Sequence, residues 1–306
     1  MPTIEEKRVY TESAGTVELA VATDLGLVAV DVSDDFVGEF GIALRDACRD
    51  VTSVDGALVV ATDEDVLVAP PGSETFAPTA FGPAASVSTD DGDLLALSPE
   101  GSVGRLADLH DVLAAGGDED DDAGESAASD DTLGAPDHDG WREVGQVDDG
   151  RRLDGNLLAT AGGVYRVGQA LQHAGLDDVH DVASAGVPRC ATGSGLYRLG
   201  NGWLDDLSGD FRLVASSTEG RANAVGVADG DGVTGGTSGG EECLFAVDGG
   251  EWRVVESPVS EAIAGVAYSE GATYVVSGAG TLAVDAGDGW RTQALGVRGV
   301  HALAVR

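Results

Sequence analysis

A nine-residue phrase that keeps returning, four tryptophans at one place in the repeating unit, and complementary gaps at the two chain ends predict an all-β fold. The architecture they predict is a seven-bladed β-propeller with four-stranded blades. The phrase reads Ala22-Thr23-Asp24-Leu25-Gly26-Leu27-Val28-Ala29-Val30 and then Ala61-Thr62-Asp63-Glu64-Asp65-Val66-Leu67-Val68-Ala69. It returns as Ala159-Thr160-Ala161-Gly162-Gly163-Val164-Tyr165-Arg166-Val167 and Ala191-Thr192-Gly193-Ser194-Gly195-Leu196-Tyr197-Arg198-Leu199. Looser copies begin at Leu97 and Val276. Each is an apolar run, a tight polar or glycine turn, and an alternating apolar run, which is the pattern of a β-hairpin.

The Thr or Ser of the phrase falls at 23, 62, 98, 160, 192 and 277, and the last gap is twice the usual one. A degenerate copy fills it: Asn223-Ala224-Val225-Gly226-Val227 followed by Cys243-Leu244-Phe245-Ala246-Val247. Seven units of about 42 residues result, a length that suits propeller blades. The period of two excludes helical repeats. After four of the hairpins comes a Gly-Trp step or a variant of it, at Trp141, Trp203, Trp252 and Trp290. This step starts a fourth, outer strand, where a large ring caps the space between blades. Before the hairpins lies a strand of small residues, for example Val51-Thr52-Ser53-Val54 or Val182-Ala183-Ser184-Ala185. Small side chains suit the crowded axis.

The first unit has its hairpin at 17–30 and an outer strand near 36–44, but no inner strand before it. The chain ends on Gly299-Val300-His301-Ala302-Leu303-Ala304-Val305, an inner strand with nothing after it. The C-terminal strand is therefore expected to complete the N-terminal blade and close the ring, which removes an open edge. One domain spanning 1–306 is expected, with residues 1–12 either a further edge strand or loose. Within the third blade, residues 114–140 carry ten acids and no Lys or Arg, the composition of a disordered loop. Taken as a calcium loop from Asp118, that stretch has Ala123 where Gly is needed and Ser129 where the closing Glu is needed. Residues 229–240 read as a Gly-rich turn extension.

Charge is the other large signal: 54 acidic side chains against 17 basic, a net charge of −37, with Lys7 the single lysine. Self-repulsion on that scale is relieved when molar salt shortens the screening length to about 3 Å. The acidity is thus a property of the whole surface, and it argues against nucleic acid as a partner. No apolar run reaches transmembrane length, and the N-terminus lacks the pattern of a secretion signal, so a cytoplasmic monomer away from membranes is expected. Cys48, Cys190 and Cys243 are isolated and odd in number, which supports buried apolar roles rather than disulfides or a thiol catalyst.

Aligning the inner strands puts Arg49, His180, Arg212 and His301 in register at one mouth of the channel, with Arg151 and Arg152 nearby. In a chain so poor in bases, this ring would hold a carboxylate, a phosphate or an acidic peptide tail. The alternative is that Arg49 and His180 pair with their neighbours Asp50 and Asp181 and merely neutralise the axis. Nucleophile-elbow, zinc-helix and P-loop patterns are absent, and no cofactor or metal site is expected. A non-catalytic scaffold for a protein or small anionic partner is the first reading. A propeller hydrolase or lyase with a metal or acid/base pair at the mouth is the second.

Asp248-Gly249-Gly250-Glu251-Trp252 resembles the Asp-box turn of sialidase-like propellers, with Ala246 where the box has Ser. The arginine triad and nucleophile of sialidases have no counterparts here. Taken whole, the chain resembles a β-propeller family of haloarchaea, distantly like WD40 repeat propellers. That resemblance implies a fold, not an activity.

Overall fold

The computed structural model describes residues 16–115, 140–229, 241–248 and 250–306. Residues 1–12 and nearly all of the acidic and Gly-rich insertions lie outside the described residues. The described chain is all-β apart from one short helix. It forms five four-stranded antiparallel sheets and one seven-stranded sheet.

Strand formation follows the alternation. In Val17–Thr23, Leu19 and Val21 enter one buried cluster, whereas Ala20 and Ala22 enter another on the opposite face. The recurring Thr is what fixes each hairpin. Thr23 Oγ1 donates to the Gly26 carbonyl at 2.7 Å and accepts the Leu25 amide at 3.1 Å. Thr62, Thr160 and Thr192 make the same turn, all of them buried. A buried hydroxyl that satisfies two turn groups at once explains why Thr or Ser recurs at this position. The glycine of the phrase has an equally local cause. A Cβ on Gly26 would lie 1.9 Å from the Leu44 carbonyl oxygen, because the outer strand passes directly over the turn.

The first sheet has the order Val300–Val305, Val17–Thr23, Gly26–Ser33, Phe36–Leu44, so the C-terminal strand is its inner strand. The seven-stranded sheet departs from the four-by-four expectation. Its strand Gly202–Ser216 pairs through its first half with Gly195–Gly200 and through its second half with Ala222–Ala228. One strand is thus the outer member of one blade-like unit and the inner member of the next. Gly209 lets it turn there, since a Cβ would stand 2.1 Å from the Val227 carbonyl oxygen. The helix Leu109–Ala115 was also not expected. Leu109 is buried, and Val112 and Leu113 pack beside it, but seven residues are too few to register as a helical period.

Among the described residues the core divides into seven clusters, and each spans two successive sheets or sheet halves. One of them joins Tyr274, Val276 and Val284 to Leu19, Val28 and Val30, tying the last sheet to the first. Three tryptophans seal outer gaps. Trp141 Nε1 donates to the Thr79 carbonyl, Trp203 Nε1 to the Ala174 carbonyl, and Trp252 Nε1 to Asp206, each on the preceding unit.

Candidate functional site

The inner strands share an irregularity. In Cys48–Val54, Cys48 pairs with Thr62 and Asp50 with Ala61, so Arg49 is an extra residue with no partner in the register. The same β-bulge expels Arg151, His180, Arg212, Ala264 and His301 from their strands. A bulge re-aims the side chain it expels. All four residues singled out from the sequence therefore stand at one structural position, and Arg151 joins them as a full member.

Each of these cations meets an acid. Arg49 forms a two-pronged pair with Asp63 (2.7 and 2.6 Å) and reaches Asp24 at 2.8 Å. His301 Nε2 lies 2.9 Å from the same Asp24 oxygen and 3.2 Å from Arg49 Nη1. His301 and Arg49 hold the Asp24 carboxyl below its usual range, and Arg49 does the same for Asp63. Arg151 bonds Asp178 at 2.8 Å and Asp149 at 3.3 Å. Hydrogen bonding from Arg151, with the nearby His180, depresses the Asp178 carboxyl. His180 Nδ1 faces the Phe211 carbonyl at 2.9 Å and Asp210 at 3.7 Å, and its Nε2 faces Asp178 at 3.3 Å. Arg212 pairs in two-pronged fashion with Glu242.

The structure thus groups the five cations into sectors: Arg49 with His301, Arg151 with His180, and Arg212 with its partner Glu242. The partners differ from those of the neutralising alternative, in which Arg49 and His180 would pair with Asp50 and Asp181. The bulge separates them. Arg49 and His180 face the rim, whereas Asp50 and Asp181 face the neighbouring unit. Asp50 accepts from the Val51 amide, the Ser86 hydroxyl and the Val87 amide. Asp181 accepts from the Val182 and Val214 amides. Both are clamps between inner strands.

Below the rim lies a cavity of about 690 Å³ lined by residues of seven strands, including Val51, Val87, Asp154, Val182, Val214, Val266 and Leu303. Arg152 lines it, 3.1 Å from Asp50 and 3.9 Å from Asp181. Burial pushes the Asp181 carboxyl up to about 6, against the pull of Arg152 and two amide donors. Asp154, held by Ser184 at 2.7 Å, is raised by burial as well. Sequence reasoning placed Arg152 on the patch but missed these two partners, since nothing local reveals which remote strands lie beside it. Among the described residues no three His, Cys, Asp or Glu side chains are grouped to hold a metal ion.

Sheets of about four strands, stacked face to face around a shared cavity, define a β-propeller. Residues 3–306 match the family described as "Beta-prop_HVO_0234:-like, beta propeller", and the chain belongs to that family. No curated protein matches the sequence. Among solved structures, the chain is similar to the WD40 β-propeller domain of Doa1, with 14% identity and a TM-score of 0.54 over 92% of this chain and 88% of that one. It is similar to YCF48 bound to D1 peptide, with 14% identity and a TM-score of 0.53 over 81% and 82% of the two chains. Human WBSCR16 is a third, with 12% identity and a TM-score of 0.53 over 88% and 87%. At these identities the likeness concerns fold alone.

Proposed function

We propose that this protein is a seven-bladed propeller, closed by its C-terminal strand, that works as a non-catalytic binding scaffold in a salt-rich cytoplasm. Its docking face is the bulged rim of Arg49, Arg151, His180, Arg212 and His301. The observation that carries this reading is the repeated bulge, which aims side chains from six inner strands at one mouth. A single bulge would be a local accident; six in register build a surface.

The charge pattern favours a protein partner over a free anion. A small anion must displace a carboxylate already bonded to each arginine, so it exchanges one pair for another with no gain. A polypeptide can offer carboxylates to Arg49 and Arg212 and bases to the surplus acids, while its apolar groups cover Leu25. That side chain is 56% exposed, next to Asp24. Solved propellers include one bound to a peptide, the D1 peptide on YCF48, which is consistent with this use of the fold.

The test is a photo-crosslinking residue in place of Leu25, compared with one in place of Leu204 on an outer strand. The expected result is a discrete protein captured from the rim alone and lost in the Arg49→Ala/Arg212→Ala double variant. Equal capture at both positions, or capture indifferent to the double variant, overturns the reading. Competition by millimolar phosphate would place a small anion at the rim instead.

A further inference from the structure

Below the rim, the cavity holds a charge arrangement that its own residues leave incomplete. Arg152 lines it, with 34% of its side chain exposed. A guanidinium carries five N–H donors. Arg152 Nη1 comes within 3.1 Å of Asp50 and Nε within 3.9 Å of Asp181. Among the described residues, however, no hydrogen bond of good geometry leaves this side chain. On the rim, by contrast, Arg49, Arg151 and Arg212 each place at least two nitrogens on carboxylates.

The acids around this cation are in surplus. Asp50 is spent, since the Val51 and Val87 amides and the Ser86 hydroxyl donate to it and Arg152 is its cation. Asp181 and Asp154 line the cavity as well. Asp181 accepts from two amides and Asp154 from the Ser184 hydroxyl, but among the described residues neither has a cation at hydrogen-bonding distance. Burial raises both carboxyls, and Arg152 offsets that only in part. Much of the remaining wall is small, with Ser53, Ser88, Gly265 and Ala302 in it. At about 690 Å³ the space has the size of a small-molecule site.

We propose that this cavity binds a small zwitterion, an α-amino acid with a short side chain, its carboxylate on Arg152 and its ammonium toward Asp181 and Asp154. A guanidinium edge with unspent donors suits a carboxylate in two-pronged fashion. A free anion would meet one cation among three acids, and a free amine would bring nothing to the donors of Arg152. A zwitterion answers both needs and adds no net charge to an enclosed space. The acidity of the outer surface plays no part, because molar salt screens exposed charges far more than enclosed pairs. This inference goes beyond the docking face proposed above and does not depend on it.

The probes are glycine, alanine and serine, titrated against the full chain in molar KCl at about pH 7 by ligand-observed NMR. Two analogues of alanine accompany them: propionate, which lacks the ammonium, and alaninamide, which lacks the carboxylate. The proposal expects saturable binding of at least one amino acid at one site per chain, with alanine bound about tenfold or more tightly than either analogue. Arg152→Gln and Asp181→Asn should each weaken alanine by a similar factor. The analogue comparison uses the native chain, so it stands even where a variant fails to fold. Propionate equal to alanine would mean that Arg152 holds an anion alone, and alaninamide equal to alanine that the acids hold a cation alone; either overturns the proposal. So does binding that a folded Arg152→Gln variant retains in full. Absence of saturable binding for all three amino acids would mean that water alone fills the cavity, and it overturns the proposal too.

Discussion

At the scale of single residues, the repeating unit exists because a few side chains do jobs the backbone cannot do alone. The phrase threonine was visible in the sequence as a recurrence; its turn-closing bonds explain the recurrence. Asp50 and Asp181 were visible as neighbours of candidate site residues, but their role as clamps between units was not, since their partners on the next unit lie 33 or more residues away. Asp181 has a measurable consequence. Its carboxyl, raised by burial to about 6 in the folded chain, keeps a proton that the unfolded chain loses near its ordinary range. The folded state therefore binds more protons between about pH 4 and pH 6, and this group's contribution to stability declines as pH rises through that window. Urea unfolding in molar KCl should show the decline, on the order of 2–3 kcal/mol across the window. Asp181→Asn should be less stable throughout but flatter between those pH values. An identical slope in the variant would refute the assignment.

At the scale of elements, strands were legible because their period of two survives in nearly every unit. The short helix and the strand shared by two units were not. Seven residues hide a helical period, and a strand that simply continues carries no turn signal at the place where its role changes. The outer tryptophans were legible as a pattern, and the structure supplies their purpose: an apolar ring fills the gap while its N–H bonds the preceding unit. For Trp203→Phe, loss of the 2.9 Å bond to the Ala174 carbonyl and of part of the ring should cost about 1–3 kcal/mol in urea unfolding. A change below a few tenths would mean that this ring packs without sealing anything. The bulge is an element-level feature with a faint sequence trace. Basic and His residues recur before small inner strands, but an extra residue becomes visible only when the partner strand is counted against it.

At the scale of the whole molecule, the C-terminal residue meets the first described strand. Arg306 donates to the carbonyls of Gly56, Pro70 and Ser73 and pairs with Glu18 at 2.8 Å, while its amide bonds the Glu18 carbonyl. One residue thus ties the C-terminal strand to the first sheet and to the second. Arg306→Ala leaves several of these acceptors without a donor and should destabilise the fold by about 2–4 kcal/mol. Glu18→Gln, which keeps the backbone contacts, should cost less. Proteolysis from the C-terminus should accelerate in Arg306→Ala. If both variants unfold like the native chain, the clasp has no energetic role.

The sequence alone determined the class of fold, the repeating unit, the inner and outer positions within it, and the register of Arg49, His180, Arg212 and His301. These are local properties, written in alternation and turn chemistry over spans of about ten residues. The tertiary structure decided what those residues face. Which acid neutralises Arg49 and which acids Arg152 meets depend on distances between remote segments. No pattern along the chain encodes such distances, because they are fixed only when the sheets pack.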